Sequence, residues 1–404
     1  MMCDSHHRIT ESPHHQLYLK FSKKIMKYYL IAGEASGDLH GSNLIRSIAA
    51  QDPDADFRYY GGDKMLVAGG ELVKHYRDTA VMGFVRVATH LHKILRNIND
   101  CKQDIAEYAP DILILIDYPG FNLEIAKYAK EVLNLKVAYY IPPKIWAWKE
   151  GRVEQIKKYV DVVYCIFPFE VDFYKSHGYD NVLYVGNPCV QSVKSACHVS
   201  KDDFYLINGF DPDKKIVAML PGSREQEVKH TIAVLNKMDK AKFNDCQFVM
   251  AATSAVDMNM YKGVDSSIKV VYDETYPLLT FADAAIVNSG TATLETALFG
   301  VPQVVVYPIV IPRLFYWIGR RYMLKIPYIS LVNIISGNET VKELVAHEYT
   351  VQSTTDCLSD LLYNNDYINS VKAGYNKVRD ILGDSVASDV AAEHIIKILR
   401  NKKR

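Results

Sequence analysis

The stretch Ala285-Ile-Val-Asn-Ser-Gly-Thr-Ala-Thr-Leu-Glu295 carries the clearest chemical signal in the chain. An apolar run ends at Asn288-Ser289-Gly290-Thr291, small residues open a helix, and after Gly300-Val-Pro302 a β-branched run, Val304 to Val306, returns to a sheet. Such a βαβ unit gathers free N–H groups and the positive end of a helix dipole at Ser289 to Thr293, and Gly290 lets a phosphate approach the backbone. Glu295, one turn further in, is placed for a ribose or sugar hydroxyl. An ordinary strand, N-cap and helix would read the same way, so the neighbours matter. Ile216 to Leu220 runs into Pro221-Gly222-Ser223-Arg224-Glu225 and a helix from Gln226, which puts Ser223 and Arg224 beside backbone N–H groups where a phosphate could sit.

Three more groups could act on a substrate. Tyr28 to Ala32 reads as a strand, Gly33-Glu34-Ala35-Ser36-Gly37-Asp38 as a turn and Leu39 to Ile48 as a helix, the opening of another βαβ unit. Pro110 to Ile116 is an apolar strand of the type found inside parallel sheets, and Asp117 stands at its carboxyl end, where open α/β sheets collect catalytic groups. A loop-bracing aspartate would look alike. Trp146 and Trp148, flanked by Lys144, Lys149 and Arg152, suit a sugar or lipid headgroup, and loop packing accounts for them nearly as well.

The elements that must position these groups fall into two halves. Residues 27–190 and 216–404 each read as alternating strands and helices, with a polar stretch, 191–215, between them and helices closing the chain. Within these halves Leu66 to Tyr76 reads as a helix and Ile326 to Ile335 as strand-like. Residues 1–26 show no period and no apolar run of signal-peptide length, and are expected to be a disordered extension. At 404 residues, 49% hydrophobic and without net charge, the chain suits two soluble domains and no nucleic acid. Seven scattered cysteines, never spaced C-x-x-C, argue against disulfides and zinc and fit a reducing compartment. The segment Thr79 to Ile98 is basic and amphipathic; its apolar residues would face the core or an anionic membrane. Pro308 to Leu324, aromatic and basic, is a second candidate surface.

Six ordered motifs closely resemble the lipid A disaccharide synthase family: Ala32-Gly-Glu-Ala-Ser-Gly-Asp-Leu-His-Gly41, Ile116-Asp-Tyr-Pro-Gly-Phe-Asn122, Ile145-Trp-Ala-Trp148, Leu220-Pro-Gly-Ser-Arg-Glu225, Ser289-Gly-Thr-Ala-Thr-Leu-Glu295 and Pro327-Tyr-Ile-Ser-Leu-Val-Asn333. The resemblance implies an α/β fold of two Rossmann-like domains facing a cleft, the GT-B architecture. It implies an inverting transfer from UDP-2,3-diacylglucosamine to 2,3-diacylglucosamine 1-phosphate (lipid X), giving the β-1,6-linked disaccharide 1-phosphate and UDP. Asp117, Glu34 and Asn333 match the family's catalytic positions. Ser223, Arg224, Ser289, Gly290, Thr291 and Glu295 would hold UDP, and Ser36, Gly37, Asp38, Trp146 and Trp148 would shape the acceptor side. Because both substrates are acylated, the resemblance favours the membrane reading of Thr79 to Ile98, with Val81, Met82, Phe84 and Val85 at the acyl chains. The enzyme is then expected to be cytoplasmic, peripheral on the inner face of a Gram-negative cytoplasmic membrane. No Asp-x-Asp stands in a loop suited to a metal, so no metal or other cofactor is expected; a homodimer is left open. This chain departs from better-known members at Tyr118 and Gly120, and at Ile141-Pro-Pro-Lys144, where others carry serine. Two rivals stand beside this reading: another UDP-sugar enzyme of the same architecture, such as an epimerase, and a non-catalytic sugar-nucleotide-binding protein.

Overall fold

Seven strands form the first sheet: β1 (Lys27–Ala32), β2 (Asp56–Gly61), β3 (Glu71–His75), β4 (Ile112–Ile116), β5 (Lys136–Tyr140), β6 (Val162–Cys165) and β7 (Val182–Tyr184). Six form the second: β8 (Lys215–Leu220), β9 (Cys246–Ala252), β10 (Ile268–Tyr272), β11 (Ala284–Asn288), β12 (Gln303–Tyr307) and β13 (Glu343–Val345). They are seen in a computed structural model that describes residues 25–79, 91–148, 150–196, 199–254, 256–308 and 327–401. Strand order is β3-β2-β1-β4-β5-β6-β7 in one sheet and β10-β9-β8-β11-β12-β13 in the other, and every pairing is parallel. Strand β4 shows why: all five of its residues are apolar and buried, and a parallel sheet covered by helices on both faces is where such a strand fits.

Each sheet reverses its winding once, between β1 and β4 and between β8 and β11. The crevice outside the carboxyl ends of strands at such a point is where ligands of open α/β sheets bind. Register brings the ends level. Ala32 pairs with Ile116, so Gly33 and Asp117 emerge side by side, and Leu220 pairs with Val287, so the Pro221 turn faces Asn288 and Ser289.

Several local expectations change, each for a visible reason. The helix after β1 starts at Ala35, so Gly37 and Asp38 lie in its first turn; a Cβ on Gly37 would stand 3.2 Å from that of Ala32, and the glycine lets helix and strand pack closely. The expected helix from Leu66 to Tyr76 is instead Asp63–Ala68 followed by β3, because Gly69 and Gly70 take positive φ (118° and 90°) and stop it. The strand-like Ile326 to Ile335 holds the helix Leu331–Ser336, capped by Ser330 Oγ on the Asn333 amide. The stretch 191–215 carries the helix Lys201–Asn208, whose Phe204 and Tyr205 pack with Phe210 against the second sheet. The helix Leu91–Tyr108 sends Ile98, Cys101 and Ile105 into the first core, while Val81, Met82, Phe84 and Val85 lie outside the described residues, as does most of Pro308 to Leu324.

The last helix, Ala387–Asn401, returns to the first sheet. Ala391, Ile395 and Ile396 join Tyr28, Leu30 and Ile114 in one apolar cluster, and Ser47 Oγ donates to Asp389 Oδ1 at 2.6 Å. The expected unit 216–404 thus ends in a helix packed on the other half. No helix among the described residues is long and apolar enough to cross a membrane. Since Ile395 is fully buried there, Ile395→Ala should cost about 2–5 kcal/mol in chemical denaturation. A loss below about 1 kcal/mol would mean that this helix is not part of the first domain's core.

Candidate active site

The second sheet's crevice holds a cavity of about 350 Å³ lined by Gly222, Ser223, Tyr276, Asn288, Gly290, Thr291 and Glu295, among others. Helix Thr291–Phe299 opens onto it with no side chain capping its first turn, which leaves N–H groups and the dipole's positive end directed at the space. A Cβ on Gly290 would meet nothing within 4 Å. Asn288 is only 3% exposed, and its Oδ1 has no hydrogen-bond partner among the described residues although it lines the cavity. A buried orphan acceptor of this kind is costly unless a ligand satisfies it. Glu295 accepts a 2.7 Å hydrogen bond from the Tyr276 hydroxyl, and burial pushes its carboxyl above the usual range.

Arg224 behaves differently from expectation. Its side chain is 79% exposed and pairs with Glu227 Oε1 at 3.0 Å, while Glu227 Oε2 accepts from the Ser223 amide at 3.3 Å. Glu227 therefore occupies donors that the sequence assigned to a phosphate. Gly222 is needed beside it, because φ is +111° and a Cβ would stand 2.7 Å from Glu227 Oε2 and 2.8 Å from Asn288 Nδ2.

The first sheet's crevice is built around strained backbone. Asp117 and Tyr118 have φ of 43° and 48°, and Ile141, whose carbonyl accepts the Asp117 amide at 3.1 Å, has φ 58°. The Asp117 carbonyl accepts from Asn122 Nδ2 and from the Tyr139 hydroxyl, each at 2.7 Å. The Tyr118 ring stacks on Phe121 and covers Gly33, where any Cβ would overlap it. Burial raises the Asp117 carboxyl, the nearby Glu34 charge raises it further, and Lys144 opposes both. Glu34 also accepts from Ser36 Oγ.

Other expected residues stand inside the framework instead of at a cleft. Asn333 is fully buried; its amide donates to Val341 O and Glu343 Oε1 and accepts from Val341 N. With these bonds it joins its helix to β13. Asp38 is likewise spent, accepting from the amides of Gly62, Lys64 and Met65 and so capping the helix Asp63–Ala68. Trp146 is buried with Nε1 on Glu170 Oε1 at 3.0 Å, and Trp148 ends the short helix Ile145–Trp148. Asn288, Tyr276, Glu227 and Glu170 had not been singled out. A polar residue closing an apolar strand was the available sign for Asn288, whereas Tyr276 arrives from the helix before β11 without a local signal.

Paired α/β domains, each with its own reversal crevice, are the plan of the GT-B class, and solved structures of that class share the fold. They include the UDP-GlcNAc 2-epimerase from Neisseria meningitidis bound to UDP-GlcNAc (TM-score 0.63, 12% identity, 92% of this chain and 100% of that one). The calicheamicin glycosyltransferase CalG4 has TM-score 0.56 and 14% identity over 93% of this chain and 98% of that one. Such identities speak for architecture alone. Sequence decides within the class: the lipid-A-disaccharide synthetase family model matches residues 28–396. The lipid-A-disaccharide synthase of Geobacter metallireducens is 35% identical over 95% of this chain and 99% of its own, and that of Nitrosococcus oceani 35% over 90% and 94%. The chain belongs to the lipid-A-disaccharide synthetase family and is a glycosyltransferase of lipid A biosynthesis, which sets aside the epimerase and the non-catalytic binder.

Glu170 yields a prediction. It is 1% exposed and also accepts from the Phe167 amide at 3.2 Å; burial pushes it up to about 7 against the pull of these N–H groups. A carboxyl raised from 4.5 to about 7 binds more protons folded than unfolded between those values, so stability falls as pH rises through that window. Glu170→Gln should remove a pH-dependent loss on the order of 3 kcal/mol. Denaturation midpoints for both proteins at pH 4.5 and 7.5 would show it, and parallel trends would refute it.

Proposed function

We propose that the chain joins UDP-2,3-diacylglucosamine to 2,3-diacylglucosamine 1-phosphate, lipid X, forming the β-1,6-linked disaccharide 1-phosphate and releasing UDP. The observation that carries this is Asp117, a carboxyl with raised basicity held at the reversal point of one sheet while the other sheet offers an anion site. An α-linked donor and a β-linked product require one in-line displacement at the anomeric carbon. Asp117 removes the proton of the acceptor hydroxyl as that oxygen attacks, with Glu34 as its neighbour, and the departing diphosphate is met by the N–H groups opening Thr291–Phe299 and by the side-chain Nδ2 of Asn288, whose Oδ1 is left to a sugar hydroxyl. Ser223, Ser289 and Glu295 complete the UDP side. In this reading protein groups carry the leaving charge.

Acylated substrates place the working enzyme peripherally at an anionic membrane surface, on the inner face of the cytoplasmic membrane of a Gram-negative cell, with Val81 to Val85 meeting the acyl chains. Mixing the two lipids and identifying the product tests the reaction. Equal turnover of unacylated donor would point to another UDP-sugar transferase.

Asp117→Asn keeps the size and removes the base, so turnover should fall roughly 10²–10⁴-fold with donor and acceptor binding preserved. Because the base must be ionised and its pKa is raised, the acid limb of kcat/KM should lie above the ordinary aspartate value of 3.8. Near-normal turnover of this variant, with loss in Glu34→Gln, would pass the role to Glu34. On the nucleotide side, Asn288→Asp puts a carboxylate beside the diphosphate and should weaken UDP at least about tenfold, roughly 1.4 kcal/mol, in calorimetric titration. Unchanged affinity in a folded variant would move the nucleotide elsewhere.

A further inference from the structure

Among the described residues, the lining of the second sheet's cavity carries no cation. Its charged lining residues are Glu227 and Glu295, and Arg224, outside the lining, is paired with Glu227. Two substrates with phosphates nevertheless have to meet between the sheets, a premise that rests on the reaction proposed above. A positive charge is available on the loop after β5, the segment where this sequence reads Ile141-Pro-Pro-Lys144.

Lys144 is exposed, and among the described residues no hydrogen bond or ion pair holds its ammonium group. Its backbone is well fixed. Ile141 is bonded through its carbonyl to the Asp117 amide, Pro142 and Pro143 limit the turn, and Trp146 two residues on is anchored to buried Glu170. The loop therefore leaves the carboxyl end of β5 next to the carboxyl end of β4, where Asp117 stands. The ammonium group acts electrostatically on Asp117 and Glu170 and also on Cys189, whose thiol in turn feels Glu295 in the cavity wall. Lys144 is thus an exposed cation beside Asp117, on a loop held at both ends.

We infer that Lys144 contacts a substrate phosphate, serving as the cationic partner that the described lining of the nucleotide cavity does not supply. The ligand chemistry is a sugar-linked phosphate monoester or diphosphate oxygen; the acceptor's anomeric phosphate and the donor's diphosphate both supply it. A flexible point charge suits either, since neither needs the fixed fork of an arginine.

The test compares wild type, Lys144→Ala and Lys144→Arg with three readouts: calorimetric titration with UDP, titration with glucosamine 1-phosphate, and steady-state turnover of acceptor with and without its anomeric phosphate. For an acceptor contact, Lys144→Ala should lower acceptor kcat/KM and glucosamine 1-phosphate affinity roughly 10- to 100-fold, leave UDP affinity unchanged and show no penalty on the dephosphorylated acceptor. For a donor contact, UDP affinity should drop by that factor whichever acceptor is used. Lys144→Arg, keeping the charge, should recover most of either loss. Unchanged UDP affinity, glucosamine 1-phosphate affinity and acceptor kinetics in Lys144→Ala would overturn the inference. Absence of turnover in wild type would instead count against the proposed reaction, with the two titrations still deciding the role of the charge.

Discussion

The carbonyl oxygen of Asp117 takes two side-chain hydrogen bonds, and the acceptor crevice depends on them. Asp117 and Tyr118 are successive non-glycine residues in left-handed backbone, at about 1–2 kcal/mol each. Against that stand the bonds from Asn122 and Tyr139 and the bond of the Asp117 amide to Ile141, about 1 kcal/mol apiece. The two sums nearly cancel, so the Tyr118 ring's seat between Phe121 and Gly33 matters to the balance. A conformation held this narrowly is kept only where the surroundings over-determine it, and such strain gathers at functional sites.

The two crevices solve opposite electrostatic problems. In the proposed reaction the Asp117 carboxyl must stay basic, and burial together with the charge of Glu34 pushes it that way. The same proposal has the second crevice receive an anion, yet its described lining contains acids and no base. Neutral dipoles supply the attraction there: the open helix start and the turn at Gly222. Glu227, sharing the Ser223 amide and the Arg224 guanidinium, keeps those donors satisfied within the protein. A ligand phosphate reaching them would have to compete with a carboxylate already in place, and Arg224 consequently offers less than its sequence position promised.

What the sequence reveals follows the range of the interactions. The β4 run, the three strand–turn–helix openings and the motif order are local, and the family and the two-sheet fold were legible from them. Local signals also placed Asp117 and the Ser289–Thr291 helix start at the crevices. Helix boundaries shifted where glycine did two kinds of work: Gly37 packs inside a helix, while Gly69 and Gly70 end one. Asn333 and Asp38 could be recognised as motif residues, but their hydrogen-bond partners, Val341 and Glu343 in one case and Gly62 to Met65 in the other, come from later segments. A motif residue that braces a framework and one that touches a substrate look identical until those partners are seen. Tyr276 on Glu295, 19 residues apart, is likewise beyond local pattern, and the packing of the last helix on the first sheet is longer-range still.

That packing connects the two sites mechanically. Helix Thr291–Phe299 meets the ligand space with its N-terminus, and at its other end Arg379 donates to the carbonyls of Ala297 and Leu298, complementing the dipole. Arg379 belongs to the helix Asn365–Leu382, whose final carbonyl accepts from the Tyr184 hydroxyl of β7 at 2.6 Å. The chain then passes Asp384, paired with Lys194 at 2.6 Å, and Ser385, which lies so close to Gly186 that no Cβ fits there, before entering the helix packed on the first sheet. Phe167, whose amide is held by Glu170, shares an apolar cluster with Leu294 and Ala297 of the anion-site helix. The end of that helix remote from the ligand is thus tied to both passages of the chain between the sheets. Its position relative to Asp117 is set by packed side chains and hydrogen bonds, and does not depend on the 191–215 connection alone.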